Sequence, residues 1–474
     1  MRSLPAEVSK RSFDEVALGY DEKEVMDEAY RCIQCLNPLC IDGCPNHNPI
    51  PDFIALVQEG RFLEAALLDY NRNALPSCTG RVCAWENQCE GWCVLNARGE
   101  GVRIGAIERF IADYALRHRD EFEALRAERQ GRPATPETEA GAAAAEERRV
   151  AVIGAGPAGL AAAHFLVREG FQVTVYEAQE RAGGLLADGI PQFVLPMGTV
   201  EAEVARLRGE GVAFRFGVAV GRDLSLEELE SEVDAVFLGV GAQVARRLEV
   251  PGEDLAGVWT AQAFLHQAKL ALDPASGLEP PRVGRRVLVV GAGNTAMDAA
   301  RTALRLGAEE VRVVYRRTQA ESPSRPVEIE HAEAEGVQFE YLVNPVAFLG
   351  DEDARVRAAR LVRMRLGAPD RSGRPRPEPI PGSEFEQPCE TVILAVGYEV
   401  AGLALGDPRL VDAHGRILVD DTGQTPVTGI FAGGDAVQGP ATVVEAVRDG
   451  RLAARAIAEW LKESRHSLRK AVRT

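Results

Sequence analysis

The sequence predicts an α/β protein with two Rossmann-like nucleotide-binding units, preceded by a smaller α-helical unit rich in cysteine. Two observations predict the α/β part. Short runs of Val, Ile and Leu alternate with helical stretches from residue 150 onward, and two of these runs end in the same kind of glycine turn. A third observation predicts the smaller unit: eight cysteines lie between residues 32 and 93, in a segment with helical patterning.

The composition is that of a globular protein. The chain has 474 residues, 46% hydrophobic and 26% charged, which is enough for two or three domains with full cores. A net charge of −17 argues against a nucleic-acid partner. Residues 1–16 lack the apolar core of a secretory signal, and the most apolar run, 150–167, is broken by glycines and a proline. We therefore expect a cytoplasmic protein that does not span a membrane.

The first glycine turn lies between the predicted strand VAVI and a predicted helix. Gly154 permits the tight turn, Gly156 lets a pyrophosphate approach the backbone, and Gly159 brings the helix close to the sheet. The helix N-terminus adds N–H donors and a partial positive charge. Glu177 ends the next strand, where a carboxylate can accept hydrogen bonds from both hydroxyls of an unphosphorylated ribose. This context favours a dinucleotide site over the alternative, a purely structural glycine turn.

The second glycine turn contains Gly291 and Gly293, followed by Asn294, with alanine in the place of the third glycine. Here the next strand is followed by Arg316 and Arg317 instead of an acid. A guanidinium can hold the ribose 2′-phosphate that a carboxylate would repel, so the sequence predicts NADPH and not NADH. The alternative is that both arginines only face solvent.

The cysteines fall into two groups with short spacings. The first is C-x2-C-x4-C-x3-C-P and the second is C-x4-C-x5-C-x3-C: Cys32, Cys35, Cys40, Cys44; Cys78, Cys83, Cys89, Cys93. In a reducing cytoplasm such groups are metal ligands more often than disulfides, and structural zinc is one alternative. The cysteine-proline ending is typical of two-cluster ferredoxins, which favours iron-sulfur clusters. The ninth cysteine, Cys389, is interpreted as a small residue leading into a strand.

The segment 428–457 contains a strand, a Gly-Gly-Asp turn and a helix that begins near Ala441 or Thr442. In this it resembles the flavoprotein reductases with two dinucleotide-binding domains. The resemblance implies that Asp435, after Gly434, reaches the ribityl and phosphate region of a flavin, and that the helix directs its N-terminus at the isoalloxazine. It also implies that the chain crosses between the two domains at 235–242 and 392–398. FAD would then be bound by a discontinuous domain into which the NADPH domain is inserted.

A second resemblance covers nearly the whole chain outside the linker. RCIQCLNPLCIDGCPNHNPIP, LPSCTGRVCAWENQCEGWCVL and VRIGAIERFIADY, followed by GGLLADGIPQFVLP and VYRRTQAESPSRPVE, are similar to the glutamate synthase small (beta) subunit family. The same N-terminal module occurs in dihydropyrimidine dehydrogenase and in the large subunit of NADH-dependent ferredoxin:NADP oxidoreductase. Two residues depart from the family pattern: Ala84 stands where a proline is usual, and Ser322 where a methionine is usual.

The family resemblance implies two 4Fe-4S clusters and divides the ligands between them. Three thiolates would hold one cluster: Cys32, Cys35, Cys40. Four would hold the other: Cys44, Cys83, Cys89, Cys93. The first cluster then lacks a fourth thiolate, and the resemblance assigns that place to the oxygen of Glu108. Counting cysteines offers Cys78 instead, because eight divide evenly into two sets of four.

The predicted electron path runs from NADPH to FAD, then through two clusters to a partner. Hydride transfer between nicotinamide and flavin depends on positioning, so no catalytic side chain is assigned. The leading hypothesis is the electron-input subunit of a glutamate synthase, in a hetero-oligomer with a large subunit that makes glutamate from glutamine and 2-oxoglutarate. The alternative is a ferredoxin:NADP oxidoreductase, bifurcating or not, or a sulfide dehydrogenase subunit with the same cofactors. A third hypothesis, from another class, is a zinc-filled scaffold without activity.

The expected domain bounds follow from these motifs: 1–125 for the helical iron-sulfur domain, 126–148 for a linker, 149–280 and 395–474 for the two parts of the FAD domain, 281–394 for the NADPH domain. The expected flavin contacts are Gly154, Gly156, Ala158, Gly159, Glu177, Gly184, Leu185, Gly434, Asp435 and Thr442. The expected NADPH contacts are Gly291, Gly293, Asn294, Thr295, Arg316 and Arg317.

Overall fold

The computed structural model describes residues 2–129, 148–370, 373–400 and 407–471, with side chains described as far as residue 463. Most of the predicted linker, residues 130–147, lies outside the described residues. Its first four residues, 126–129, continue a helix of the N-terminal unit. Among the described residues, every helix is too short or too polar to cross a lipid bilayer.

The N-terminal unit is helical, as predicted. Its helices are α1 Ala6–Ser9, α2 Glu22–Ala29, α3 Leu39–Asp42, α4 Ile50–Gln58, α5 Phe62–Tyr70, α6 Pro76–Val82, α7 Ile104–Arg117 and α8 Arg119–Arg129, with 3-10 turns at Trp85–Asn87 and Val94–Ala97. A two-stranded antiparallel ribbon joins β1 Arg2–Ser3 to β2 Ala17–Gly19. Asp21 caps α2 in a reciprocal box with Glu24, and Pro51 lies in the first turn of α4, where its missing N–H costs nothing. Apolar faces of α4, α5 and α7 form the core.

The first sheet of the α/β part is parallel and has five strands. Their spatial order is Ile430–Ala432, Ala235–Leu238, Arg149–Ile153, Gln172–Glu177, Ala213–Phe216. The strand from the C-terminal segment pairs with Ala235–Leu238, so this unit is built from two separate parts of the chain, as expected. Its helices are α9 Pro157–Arg168, α10 Leu185–Asp188, α11 Met197–Gly209, α12 Leu226–Glu232, α16 Asp435–Gln438 and α17 Val443–Ala471. The first three strands in this order are buried, which is why they are almost continuously apolar.

The second sheet is also parallel and has five strands. Their order is Gln338–Tyr341, Glu310–Tyr315, Arg286–Val290, Thr391–Leu394, Val258–Thr260. We expected the second unit to begin at residue 281, but the strand Val258–Thr260 and the helix α13 Ala261–Leu270 already belong to it. The strand is short and only half-buried, so its pattern gave no signal of the sheet to which it adds an edge. The other helices of this unit are α14 Asn294–Arg305 and α15 Pro326–Glu335.

An antiparallel sheet, which the sequence did not predict, is inserted in the second unit. Its strands are Val343–Gly350, Val356–Pro369, Pro375–Pro379 and Phe385–Pro388. Its apolar face packs against the parallel sheet, and buried Cys389 belongs to that shared core. In the first ten residues of the longest strand, single exposed arginines are separated by one or two buried residues, so one face of this sheet is solvated.

The two sheet units are joined by two chain crossings. Val244–Ala245 pairs antiparallel with Tyr398–Glu399, close to the predicted crossings. The N-terminal unit contacts both sheet units: the backbone N–H of Val16 donates to the carbonyl of Phe193 at 2.9 Å in the first. In the second, the buried guanidinium of Arg325 donates to the carboxylate of Glu86 at 3.1 Å and stacks on Trp85. The N-terminal unit therefore bridges the two sheet units.

Candidate functional site

The first glycine turn has the geometry that a bound pyrophosphate needs. Gly154 has φ +96°, and a Cβ there would lie 2.5 Å from the carbonyl oxygen of Gly239. A Cβ at Gly159 would lie 1.9 Å from the carbonyl oxygen of Gly154, so helix α9 packs directly on the turn. A Cβ at Gly156 would meet nothing within 4 Å. The open space is therefore above the second glycine, at the N-terminus of the helix.

Two further segments border this space. The backbone N–H of Gly183 donates to the carbonyl of Ala155 at 2.8 Å, and a Cβ at Gly184 would lie 3.0 Å from the Cα of Gly156. Leu185 then begins helix α10. From the C-terminal part of the chain, a Cβ at Gly434 would lie 2.9 Å from the Cβ of Ala158. The structure thus brings three distant segments of the predicted flavin site together.

The carboxylate of Glu177 lies where strand Gln172–Glu177 ends. One oxygen accepts a hydrogen bond from the backbone N–H of Ala155 at 2.7 Å, and the other accepts from Gln179 N–H at 2.9 Å. Burial raises the pKa of this carboxyl. Since a carboxylate offers about four acceptor positions, it could still accept from ribose hydroxyls.

Asp435 and Thr442 flank the start of the long C-terminal helix. The carboxylate of Asp435 accepts from the backbone N–H of Ala441 at 3.2 Å, and burial raises its pKa to about 6. The hydroxyl of Thr442 donates to the carboxylate of Glu445 at 2.6 Å, immediately before helix α17 begins at Val443. The helix N-terminus and its positive potential therefore lie beside the first glycine turn.

The second glycine turn repeats the first in outline. Gly291 has φ +121°, and a Cβ there would lie 2.3 Å from the carbonyl oxygen of Ala395. Near Gly293 the closest atom to an added Cβ is 3.7 Å away, so this position is also open. Helix α14 then begins at Asn294, followed by Thr295, which hydrogen-bonds Tyr398 at the chain crossing.

A loop from the next segment is tied to this turn. The side-chain oxygen of Asn294 accepts from the backbone N–H of Arg325 at 2.9 Å and from the hydroxyl of Ser324 at 3.0 Å. Ser322, which departs from the family pattern, donates its hydroxyl to the carbonyl of Ala292 at 2.6 Å. The serine therefore fixes the loop to the turn by a hydrogen bond, which a methionine could not donate.

The two arginines predicted to hold a 2′-phosphate lie in different environments. Arg316 is exposed directly after the strand Glu310–Tyr315. Arg317 is buried, and its guanidinium donates to Asp370 at 3.0 Å and to the carbonyl of Pro375 at 2.9 Å. The structure therefore exposes Arg316 and engages Arg317 with the antiparallel sheet, so the two neighbouring guanidiniums do not lie side by side in one environment.

Eight predicted metal ligands surround two cavities in the N-terminal unit. The outer cavity is lined by partly exposed cysteines: Cys32, Cys35, Cys40, Cys93. The inner cavity is lined by buried residues: Cys44, Cys83, Cys89, Glu108. Each cavity thus has four candidate ligands, and Cys44 lies in a different cavity from the three cysteines before it, as expected for a cysteine that precedes proline.

This grouping differs in two places from the expected division. Cys93 lines the outer cavity and Glu108 lines the inner one, so these two residues lie in each other's expected places. Helix α7 carries Glu108 toward the buried cysteines, whereas Cys93 lies in the surface loop beside Trp92. Cys78 lines neither cavity: it lies in helix α6 and packs in the core of the first sheet unit.

The side chain of Glu108 is held in place by hydrogen bonds to one of its two carboxylate oxygens. Its Oε1 accepts hydrogen bonds from Asn73 at 2.7 Å, from Thr79 at 3.0 Å and from Asn48 at 3.4 Å. Among the described residues, no donor reaches Oε2, although the side chain lines the inner cavity. Burial raises the pKa of this carboxyl to about 7. The residue is fixed in position with one oxygen available to a ligand.

The cavities could hold iron-sulfur clusters. Burial raises the pKa of Cys40 to about 12 and that of Cys44 to about 11, so bare thiols there would be protonated at neutral pH. A positively charged group that binds the thiolates would offset that cost. In the described part of the chain, no three His, Cys, Asp or Glu side chains converge on a single metal ion. A 4Fe-4S cluster instead needs four ligands spread around a cavity.

Two apolar contacts, which the sequence did not indicate, connect the cavities to the flavin site. Ile50 and Ile104 line both cavities, so the outer and inner cavities share a wall. Val444 lines the inner cavity and is the second residue of helix α17, which begins beside the first glycine turn. Flavin site, inner cavity and outer cavity therefore follow one another in that order.

Comparisons with known proteins identify the two parts of the chain. Residues 9–120 match the family described as dihydropyrimidine dehydrogenase domain II, 4Fe-4S cluster, and residues 148–450 match pyridine nucleotide-disulphide oxidoreductase. The chain is 39% identical over 476 residues to the glutamate synthase [NADPH] small chain of Halomonas elongata, covering 96% of this chain and 95% of that one. The chain belongs to the glutamate synthase small chain family. The family's Escherichia coli member is 38% identical over 469 residues, covering 97% of this chain and 96% of that one.

The chain is also similar to subunits of other enzymes. The NADP(+)-dependent formate dehydrogenase subunit beta of Moorella thermoacetica is 41% identical over 444 residues, covering 90% of this chain and 60% of that subunit. Among solved structures, FprA from Mycobacterium tuberculosis in complex with NADPH shares the fold, with a TM-score of 0.57 and 22% identity over 68% of this chain and 86% of that one. These findings confirm the predicted fold class, and family membership makes the chain an NADPH-dependent flavin oxidoreductase with an iron-sulfur domain.

Proposed function

We propose that the chain is the electron-input subunit of a glutamate synthase, which oxidises NADPH and passes electrons to a large subunit that makes glutamate from glutamine and 2-oxoglutarate. The observation that carries this proposal is the match to glutamate synthase small chains along almost the full length of both chains. Relatives of this family are subunits of larger enzymes, which supports a hetero-oligomer. The reduced cysteines are compatible with the cytoplasm.

FAD would lie on the first glycine turn, and NADPH on the second. The open space at Gly156 and the nearby N-termini of α9 and α17 support a flavin pyrophosphate there. The matching space at Gly293 supports a nicotinamide dinucleotide. Bound flavin supplies an acceptor for the hydride of NADPH and can release the two electrons singly, which is what iron-sulfur clusters accept. The chain contributes position and water exclusion, with no side chain in an acid-base role.

Recognition of NADPH would depend on Arg316. Its exposed guanidinium follows the strand that lies next to the second glycine turn, where the 2′-phosphate of the adenosine ribose is expected. Arg317 would act by holding the antiparallel sheet against this edge through Asp370. Arg316 alone would contact the 2′-phosphate, and that single contact would favour NADPH over NADH. Arg317 would have a structural role.

Two 4Fe-4S clusters would occupy the inner and outer cavities. The inner cluster would be held by three thiolates and by the free oxygen of Glu108, and the outer one by four thiolates. The shared wall of Ile50 and Ile104 excludes water between them and keeps them close. A short distance between the two clusters, bridged by packed side chains, would suit the transfer of electrons one at a time.

The test is reconstitution under anaerobic conditions. The purified chain should contain about eight iron and eight sulfide per molecule, as two 4Fe-4S clusters require. NADPH should bleach both flavin and cluster absorbance. Mixed with the large subunit of the E. coli glutamate synthase, the chain should support NADPH-dependent formation of glutamate. Protein with zinc in place of iron, or a chain that NADPH cannot bleach, would contradict the proposal.

A second candidate keeps the same cofactors and changes the partner. The 41% identity to a formate dehydrogenase subunit, slightly above that to the glutamate synthase small chains, favours it. Here the chain would serve a ferredoxin:NADP oxidoreductase, a sulfide dehydrogenase or a related complex. The co-purifying subunit separates the two: a large amidotransferase chain supports glutamate synthesis, and a smaller flavin or iron-sulfur chain supports the alternative.

A further inference from the structure

A patch of exposed apolar side chains surrounds the outer cavity. Leu36 is 104% exposed, Ile33 62% and Trp92 51%, and Leu39 and Val94 are also exposed. Four of these five side chains also line the cavity, and Leu36 lies in the loop between two of its cysteines. We call these five residues the apolar patch. Large apolar side chains grouped in this way on a surface mark a contact site more often than isolated ones do.

The central aromatic side chain of the patch is fixed in place. A Cβ at Gly43 would lie 2.6 Å from the Cγ of Trp92, so the indole packs directly on the glycine backbone although half of it faces solvent. An aromatic side chain that is already held loses little entropy when a partner covers it. Tryptophans in this situation are the anchors that dominate binding at protein interfaces.

The patch has almost no charge. Residues 30–43 and 91–98, which carry it, contain three charged residues, Arg31, Asp42 and Arg98. Arg31 is paired with Glu28. The chain as a whole has a net charge of −17. An acidic electron carrier that binds through opposite charge would therefore find no complementary positive surface at this patch. An apolar, uncharged face is instead typical of permanent interfaces between subunits.

We propose that the apolar patch is the docking surface of a permanently bound redox subunit, which receives electrons from the outer cavity. The inference rests on the proposed function, because it takes the cavities as the electron path. The partner would present a flavin or iron-sulfur centre beneath an apolar face, and would not be a freely diffusing acidic ferredoxin. Each NADPH becomes NADP⁺ and its hydride yields one proton, released to solvent, and two electrons, which reduce the partner's centre one at a time.

The experiment compares the holo chain with two variants, using the E. coli glutamate synthase large subunit as the probe. Leu36→Glu places a charge in the patch without replacing any residue that lines a cavity. Leu278→Glu is the matched control, because this leucine is 47% exposed and lies far from the patch in sequence, in the loop of the second sheet unit between helix α13 and the strand Arg286–Val290. Sedimentation velocity measures assembly, glutamate formation measures delivery, and bleaching by NADPH in the isolated chain measures internal electron transfer.

Leu36→Glu should weaken assembly at least about tenfold and lower glutamate formation to match, because a buried carboxylate would face an apolar partner. Its bleaching by NADPH should be unchanged, and Leu278→Glu should behave like the wild type in all assays. The wild-type complex should persist at about 0.5 M salt, where charge-based complexes weaken.

Three results would overturn the docking surface: equal assembly by Leu36→Glu, a wild-type complex that dissociates as salt is raised, or a homodimer of the chain that Leu36→Glu dissolves. The proposed function fails separately, if the wild type is not bleached by NADPH or delivers no electrons to the large subunit.

Discussion

The open space above Gly156 allows a test of the flavin site that leaves the fold intact. At this position φ is −78°, which alanine adopts freely, and the added Cβ meets nothing within 4 Å. Gly156 is the N-cap of helix α9, where alanine is worse than glycine, but alanine also lowers the entropy of the unfolded chain. Each effect is below about 1 kcal/mol and they oppose each other, so the free energy of unfolding of the flavin-free Gly156→Ala variant should change by less than about 1 kcal/mol.

Flavin binding should change much more. A methyl group forced against a pyrophosphate that touches the backbone costs about 1–3 kcal/mol, which corresponds to an affinity about 5- to 150-fold lower. The assay is titration of flavin-free protein with FAD, with unfolding followed in parallel. Gly293→Ala is the matched control: its Cβ is equally free, at 3.7 Å from the nearest atom, and it should weaken NADPH while leaving FAD bound. If Gly156→Ala binds FAD like the wild type, the pyrophosphate does not lie above this glycine.

Three other predictions follow from the site. Arg316→Gln should weaken NADPH about 10- to 100-fold while leaving NADH unchanged. Arg317→Gln should lower thermal stability and change the affinities for NADPH and NADH equally. Titrations in which Arg317→Gln weakens only NADPH, and Arg316→Gln weakens both nucleotides, would exclude the proposed roles. Cys93→Ser should reduce the iron content and alter the EPR signal of one cluster, whereas Cys78→Ser should retain about eight iron, and iron loss in Cys78→Ser would reject the assignment to cavities. Because burial raises the folded pKa of Asp435 above its unfolded value, to about 6, wild-type apoprotein should lose stability as pH rises from about 4 to 6. The stability of Asp435→Asn, measured by chemical unfolding, should not fall over this pH range. If the variant loses as much stability as the wild type, a group other than Asp435 causes the loss.

Much of the fold could be predicted because its signals are local. The glycine turns, the strands before them and the capped helices each occupy fewer than about 30 residues of continuous sequence, and their patterns have direct physical causes. The parallel sheets and the discontinuous first unit follow from these signals. The antiparallel sheet was missed because its long strand, Val356–Pro369, is rich in arginine on its solvated face and gives no strong apolar run.

The arginines show why sequence alone misjudged part of the site. Both arginines follow the end of the strand Glu310–Tyr315, where the chain bends, and the bend leaves Arg316 exposed and Arg317 buried. Only the structure identifies the carboxylate of Asp370, more than fifty positions later, as the partner of the inward one.

The metal ligands show a related limit. The spacing of cysteines along the sequence identifies which of them bind the same cluster only if the chain between them stays beside one cavity. Here Cys40 lies in helix α3 and Cys44 follows the end of that helix, and the two cysteines line different cavities. Between Cys89 and Cys93 the chain passes from the buried core to the surface. Cys78 could not be excluded from the sequence, because its burial depends on the core of another unit.

The contacts of Arg325 with Glu86 and of Val16 with Phe193 have a mechanical consequence. The two sheet units also meet directly, through the ribbon Val244–Ala245 with Tyr398–Glu399 and through Lys269, whose ammonium donates to the carbonyls of Leu186 and Ile190, and a twist between the units would bend this joint. The N-terminal unit acts as a strut across that joint and resists the twist. Cutting it away would therefore remove more than the candidate metal sites: it would also remove contacts that help to hold the two lobes, and with them the donor and acceptor rings, in one alignment.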